Sequence, residues 1–538
     1  MAGTHESSHE KTASNHEVAA YEAGRDQTAF HEKTTERPRR DKGDKKWWDS
    51  ELVAVEMREQ GSMALPVVFA YAAQHALILV LFAFVGRSVE GENALAVAGL
   101  GSMWVNFSGV SIVVGLGSGL ETLASQAYGA GKYRLVGVLS QRALVVLTAS
   151  CVPIVFTWLF ASPLLQAAGI EPAMADGVAE FTHIMCFSLP ALVIQEVARK
   201  FLLAQGHMSP LLYCGALAFL IHVPCCYFLV QEDVLDIGPV RGGAVSLVLS
   251  YYVGDVLLLG YTFFKGLYVQ TWHGWTREAF DLAKMSEYLH LAVPGAGQIC
   301  LEWWCFEIQT LLSAQLGTTV LAAQTVMFNS TAIFYMMPLG ISIACSARIG
   351  NALGAGNPDG ARRAAAVAIV LCVVTNVVFT ALYAIYRREW VQLFSGDLPV
   401  VDLTVSVIPI QASFLVFDAI SGVNAGILRG CGNQRIGFLS NLLCFYLIGT
   451  PVGVYLAFGL DMGLHGLWLG LALGCCSQAA TMSIYNIRCD WEDLADKAAA
   501  RVERQEEDVS MRDLSSGDLS SAGGTRERDA TGLLDNAA

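Results

Sequence analysis

From residue 62 to residue 487 the chain alternates long apolar runs with short polar breaks. A helix crosses a hydrocarbon core in about 20 residues. Segments of that length lie near 62–85, 94–119, 138–161, 178–203, 208–230, 242–264, 286–313, 319–343, 361–386, 402–428, 436–458 and 464–487. The pattern predicts an all-α polytopic membrane protein with twelve transmembrane helices. The flanks, 1–60 and 488–538, carry no such run and read as disordered tails.

The twelve runs fall into two sets of six. An offset of about 225 residues lays Gln126-Ala127-Tyr128-Gly129-Ala130-Gly131 over Asn351-Ala352-Leu353-Gly354-Ala355-Gly356, each directly after the second span of its half. Pro66 then falls near Pro294, Gly206 near Gly432 and Gly242 near Gly466. With six spans between them, both copies enter the membrane from the same side, a parallel repeat about an axis along the membrane normal. The chain divides into one six-helix lobe over 61–265, a loop over 266–285 and a pseudo-symmetric six-helix lobe over 286–487. A cleft between two such bundles can expose a solute to one side and then the other, so the architecture suggests transport.

Composition agrees: the 538 residues are 54% hydrophobic and only 15% charged, with a mean hydropathy of +0.46. The net charge of −14 sits largely in the tails, at −3 for residues 1–60 and −6 for 488–538, which leaves no basic surface suited to nucleic acid. With the N-terminus placed in the cytosol, internal loops and helix ends hold thirteen Lys and Arg against four on the opposite side. That bias satisfies the positive-inside rule and puts both termini in the cytosol. The 14 cysteines lie mostly in apolar runs and read as reduced packing residues, and His5, His9, His16 and His31 are too irregularly spaced for a metal site. No phosphate-cradling loop is present: Gly129-Ala130-Gly131-Lys132-Tyr133 lacks the spacer, and Gly115-Leu116-Gly117-Ser118-Gly119, inside a span, reads as close helix packing.

A carboxylate at the bilayer centre costs about 2.5–3.5 kcal/mol on insertion scales, so each one needs a reason. Glu302 lies mid-way along the seventh span with Gln298 and Gln309 on its face, and Pro294 near the start of that helix bends the stripe toward a cavity. Glu307 points about 140° away on an ideal helix and ranks second. Asp418 lies deep in the tenth span, with Gln411 and Ser421 near its face, and no basic residue occupies the middle of a C-terminal-half span. In the first half, the repeat equivalent of Glu302 is neutral Gln74, while Asp255 is an acid in the sixth span. Glu196 and Arg199 have the spacing of a local ion pair, Glu121 sits near a helix end as either a gate contact or a wetted residue, and His75 and His222 read as satisfied core residues.

Four segments carry a family resemblance: Glu121 to Ala130, Cys300-Leu301-Glu302-Trp303-Trp304-Cys305-Phe306-Glu307, Arg348 to Asn357, and Leu428-Arg429-Gly430-Cys431-Gly432-Asn433-Gln434. Over residues 60 to 490 the chain resembles the eukaryotic multidrug and toxic compound extrusion (MATE) transporters. The resemblance implies a V-shaped pair of lobes that exchanges protons for organic cations, other xenobiotics or metabolites. It also implies a proton site in the second lobe, on positions matching Glu302 and Asp418, with Glu307 at a further acidic family position. Asn329 falls where plant-like members carry Asn and some animal members Glu, which argues against strict organic-cation specificity.

The expected cavity therefore holds Glu302, Asp418, Glu307, Asn329, Gln298, Tyr335 and Gln74, with Asp255, Glu121, Trp303 and Ser421 as secondary candidates. Trp303 belongs to an aromatic group, with Trp304, Phe306 and Tyr335, that offers cation–π surface. No cofactor or metal is expected; H+ is the coupling ion and Na+ the alternative. The expected partners are small cationic or amphiphilic solutes and the lipid of a plasma or vacuolar membrane, with the chain acting as a monomer. Two rivals remain: a flippase for lipid-linked substrates, which calls for a more basic cavity, and an intramembrane enzyme, for which His222 and Asp255 are the one pair worth checking.

Overall fold

The structure, a computed structural model, describes residues 48–88 and 91–521. Twelve long helices follow one another: α1 Ser50–Val85, α2 Asn93–Gly129, α3 Tyr133–Leu159, α4 Pro172–Ala204, α5 Ser209–Gln231 and α6 Pro239–Phe264, then α7 Leu282–Ala314, and α8 Thr318–Gly354, α9 Pro358–Ile385, α10 Leu398–Cys431, α11 Gln434–Gly459 and α12 Gly463–Arg488. No strand occurs among the described residues. Eleven of these helices are long and apolar enough to cross a membrane. The twelfth, α7, has the length at 33 residues, but Gln298, Glu302, Glu307 and Gln309 dilute its hydropathy.

The repeat is written into the helix ends. Gly131 and Gly356, one at each copy of the Gly-Ala-Gly motif, take left-handed φ of 75° and 67°; Gly206 and Gly432, after α4 and α10, take 78° and 74°. At each of these turns the next amide reaches five residues back, Lys132 to Ala127 and Asn357 to Ala352, His207 to Leu202 and Asn433 to Leu428, all at 2.8–2.9 Å. These closures satisfy the last carbonyls of four helices, and a residue with a Cβ would be strained at the glycine. Two π turns, Tyr227–Gln231 in α5 and Tyr455–Gly459 in α11, stand at the offset that separates Pro66 from Pro294.

The lobes meet at one end. A Cβ on Gly129 would lie 2.0 Å from the Asn351 carbonyl oxygen, and one on Gly354 would lie 2.0 Å from the Gln126 carbonyl oxygen. Each copy of the motif thus seats its glycine on the other copy's backbone across the pseudo-twofold axis. Small residues continue the contact: Gly115 and Gly119 of α2 lie against Ala296 and Ala292 of α7, and Gly340 of α8 lies against Ala64 and Val68 of α1. The Gly-rich run of α2 is therefore a packing surface, where small residues let backbones approach. Beyond mid-depth, where Trp304 Nε1 donates to the Phe107 carbonyl at 3.0 Å, the hydrogen bonds stay within lobes: Trp158 to Ser108, Gln231 to Phe84, Gln411 to Met327 and Trp468 to Gln324. The lobes are closed at the glycine end and independently knit at the other.

Both expected tails are partly ordered. Helix α1 starts at Ser50, capped by Asp49, and buries Glu56 and Gln60; residues 1–47, including the four tail histidines, lie outside the described residues. After residue 488 the chain forms a further helix, α13 Trp491–Ser521. Its composition is polar, yet Leu494, Ala498 and Val502 recur every fourth residue and are buried. This helix clasps both lobes. Arg501 donates to Gln126 Oε1 of α2 and to the Cys431 carbonyl of α10, each at 3.1 Å. Gln505 is bonded to Arg142 of α3 and Glu287 of α7, and Glu506 pairs with Lys132 at 2.7 Å.

Gly129→Ala is expected to pry the closed end apart while leaving each lobe folded. Cys431, 2% exposed beside the contact, should gain several-fold reactivity toward a maleimide, read by mass spectrometry. Gly131→Ala, where φ is positive but nothing lies within 4 Å, should cost about 1 kcal/mol of stability without changing that reactivity. Equal Cys431 labelling in wild type and Gly129→Ala would contradict the packing account.

Candidate functional site

Helix α7 brings Glu302 to the interior of the second lobe. The Tyr335 hydroxyl of α8 donates to Glu302 Oε1 at 3.4 Å, and the Asn441 amide of α11 faces the same carboxylate. Asp418 of α10, 5% exposed, is near enough for its charge to repel that of Glu302. Two acids on different helices, Glu302 and Asp418, and the phenol of Tyr335 thus converge. The supporting shell is polar as well: Asn441 Nδ2 donates to the Gln298 carbonyl at 2.7 Å, and the Gln478 amide of α12 is bonded to Asn441 Oδ1. Gln298, one turn from Glu302, is buried, and its amide makes no hydrogen bond among the described residues. It packs against Gly437, where a Cβ would come within 2.4 Å.

Other expected members have contacts of their own. Asn329 donates to Thr325 of its own helix at 2.8 Å. Glu307 is half-buried further along α7, and Ser421 reaches the Cys475 carbonyl at 3.5 Å. Gln309 lines a separate small cavity with Thr450 and Leu471. Trp303 is 38% exposed; its neighbour Trp304 stacks on Phe107 of α2, ring centroids 4.6 Å apart, and so joins the lobes. Phe306 packs edge-on against Phe414 at 5.9 Å, a core contact.

At the closed end, a charge cluster replaces what looked like a lone acid. Glu121 of α2 is 1% exposed, pairs with Lys200 of α4 at 2.5 Å and meets Arg429 of α10 at 3.3 Å. It is a contact between lobes rather than a wetted residue. Thr122 donates to the Arg429 carbonyl at 2.6 Å, and Gln126 donates to the Gly430 carbonyl at 3.0 Å. Arg348 of α8 and Glu56 of α1 form a second buried bridge at 2.5 Å. Arg429 also acts electrostatically on Glu302, so the acid expected to have no basic partner shares a cation with the lock. Sequence reasoning missed this link because Arg429 sits at a helix end, where a basic residue has a simple topological explanation. It missed Asn441 and Gln478 as well, whose signal was an amide in the interior of each of two apolar spans.

The first-lobe candidates stand apart from Glu302. Gln74 donates to Gln195 at 3.4 Å, and Asp255 is buried in α6. The expected Glu196–Arg199 pair gives way to Glu196 with Lys200, 3.6 Å at i,i+4, while Arg199 bonds Gln195 of its own helix. His222 is a satisfied core residue: its ring nitrogens meet Ser250 Oγ at 2.7 Å and the Leu77 carbonyl at 3.0 Å. His75 Nε2 has no partner among the described residues. With His222 committed to Ser250 and Leu77, the pair that an intramembrane enzyme would require is not formed.

Two internally repeated helical lobes, locked at one end and carrying convergent acids inside one of them, define a two-lobed membrane transporter. Comparison with known proteins gives the family. The MatE family model matches twice, over residues 66–228 and 294–455, once in each lobe. Protein DETOXIFICATION 16 of Arabidopsis thaliana is 34% identical over 469 residues, covering 86% of this chain and 95% of the relative. Multidrug and toxin extrusion protein 2 of Mus musculus is 34% identical over 440 residues, covering 82% and 76%. The crystal structure of the eukaryotic MATE transporter AtDTX14 superposes with a TM-score of 0.79 at 30% identity, over 84% of this chain and 99% of that one. The chain belongs to the MatE family of multi-pass membrane transporters.

Removing the shared anion of the lock should be costly, because a buried charge stripped of its partner typically costs about 3–5 kcal/mol. Glu121→Gln is therefore expected to lower the unfolding midpoint of the purified protein clearly. A Glu121→Gln protein as stable as wild type would show that the cluster is not a buried lock.

Proposed function

We propose that the chain is a proton-coupled antiporter that exports small organic cations, other xenobiotics or metabolites, with Glu302 and Asp418 as the coupling acids. The observation that supports this reading is the convergence of Glu302, Asp418 and Tyr335 from three helices inside one lobe. Two carboxylates at one site cannot easily both stay charged away from water, so the site favours taking a proton or a cation. Proton and substrate then compete. Deprotonated acids hold a cationic solute; a proton arriving from the non-cytosolic side cancels that charge and releases the solute there.

The closed end carries the basic helix ends and is assigned to the cytosol, so the arrangement is read as outward-facing. Arg429 links the two events, because the same guanidinium acts on Glu302 and braces Glu121 in the lock. A change of charge at Glu302 changes the field in which the lock is held, a differential interaction of the kind a two-state transporter needs. The acidic second lobe favours this reading over a flippase for phosphate-bearing lipids.

In proteoliposomes, efflux of a fluorescent organic cation driven by an imposed pH gradient should fall at least about tenfold in Glu302→Gln and in Asp418→Asn, the loss expected where a charged partner contributes about 1.5–3 kcal/mol. An equal Na+ gradient at fixed pH should not replace the proton gradient. Wild-type, pH-driven efflux in both variants would sink the coupling assignment, and full activity on Na+ alone would replace H+ with Na+.

A further inference from the structure

The first lobe holds a second cavity, of about 60 Å³, lined by α1, α4, α5 and α6 and mostly apolar in its walls. Its polar lining comes from Tyr71, Gln74, Gln195, Arg199, Ser250 and Tyr251. Most of these hold one another: Gln74 donates to Gln195, Gln195 accepts from Arg199, and the Ser250 hydroxyl is engaged by His222. The charged member is Arg199. Its guanidinium lies over the Tyr71 ring, 5.1 Å from the centroid, which fixes its plane. A guanidinium carries five donors, and Gln195 with the nearby Tyr71 hydroxyl leaves several without an acceptor among the described residues.

The counter-charge is placed unusually. Asp255 is 4% exposed, and neither of its oxygens accepts a hydrogen bond among the described residues. It acts electrostatically on Arg199, yet it is absent from the cavity wall that its neighbour Gly254 forms. A second acid, Glu196 on the same helix, also acts electrostatically on Arg199 but makes no hydrogen bond to it, and stands 3.6 Å from the Lys200 that it shares with Glu121. The cavity therefore presents a cation with unused donors, while the carboxylate that compensates it is set back and leaves those donors free. A guanidinium partly withdrawn from water in this way gains from an acceptor that completes its donors.

We propose that this first-lobe cavity is an anion subsite that takes a carboxylate group on Arg199, separate from the acidic site of the second lobe. The planar fork suits a carboxylate, which it binds through two parallel N–H···O bonds, and the volume suits a head group rather than a whole drug-sized molecule. The lobes then offer opposite charge to a solute: acids at Glu302 and Asp418, a guanidinium at Arg199. A solute bearing a carboxylate, alone or beside an ammonium, is the class this pairing would admit and a purely acidic cavity would refuse.

Radiolabelled acetate is the probe, measured by equilibrium dialysis against the full chain in lipid nanodiscs at constant ionic strength with chloride, which carries no carboxylate, as background anion. Wild type and Glu302→Gln should both bind one acetate per chain saturably, because the site does not involve the second lobe. Arg199→Gln should weaken binding by about tenfold or more, and Asp255→Asn should strengthen it by removing a nearby negative charge. Absence of saturable acetate binding by wild type overturns the proposal whatever the variants do. So does undiminished binding by folded Arg199→Gln, or loss of binding in Asp255→Asn alone, which would mark a cation site instead. Loss in Glu302→Gln with retention in Arg199→Gln would also overturn it, by moving the anion to the second lobe.

Discussion

Everything in this molecule is arranged around one reciprocal contact: the glycine of each repeat seated on the backbone carbonyl of the other. At Gly129 against Asn351, and Gly354 against Gln126, there is no room for even one methyl group. A contact this close is either made or broken, since packed backbones have no graded intermediate. That gives the pair of lobes a discrete closed state at one end. The surrounding charges are compatible with it because they are paired across the same boundary, Glu121 with Arg429 and Glu56 with Arg348, while Lys200 supports Glu121 from within the first lobe. Such buried bridges add little net stability, but they penalise strongly any state that strips one partner. They make the closure specific more than they make it strong.

The scaffold is symmetric and the chemistry is not. Left-handed glycines, π turns and the prolines recur at matching positions in the two lobes, yet the position equivalent to Glu302 is Gln74. The second lobe gathers acids around Tyr335; the first gathers a guanidinium, two amides and two phenols around its cavity. Arg429 joins these halves of the argument. It leaves a helix of the acidic lobe, completes the lock on Glu121 and acts on Glu302. One side chain is thus placed where it feels the charge of the acidic site and holds a partner in the lock.

Much of this was legible in the sequence. Hydropathy gave the spans, because in a bilayer every backbone group must be satisfied within a helix and the apolar run has a required length. The repeat was visible in its glycines, whose backbone role only glycine can fill. Glu302 and Asp418 stood out because a carboxylate is expensive in a span, and the structure brings them together. What stayed hidden were the pairings. Nothing in the spacing of Glu196 and Arg199 shows that Lys200 will take the glutamate, because the choice depends on where Glu121 arrives from another helix. The clasp of α13 was hidden too: its polar composition masks four-residue spacing in Leu494, Ala498 and Val502. Nor does the sequence show that the Asn329 amide donates to Thr325 of its own helix.

The central claim is that the charge state of the second-lobe acids decides whether the glycine contact is closed. Spin labels on exposed Lys132 and Asp359, which flank the two copies of the motif, would report it directly through their distance distribution in lipid nanodiscs. The account predicts a single short distance at low pH and a second, longer population at high pH with a cationic substrate present. In the double variant Glu302→Gln and Asp418→Asn, the short distance should persist under both conditions. A distribution that shifts with pH as fully in the double variant as in wild type would contradict the account.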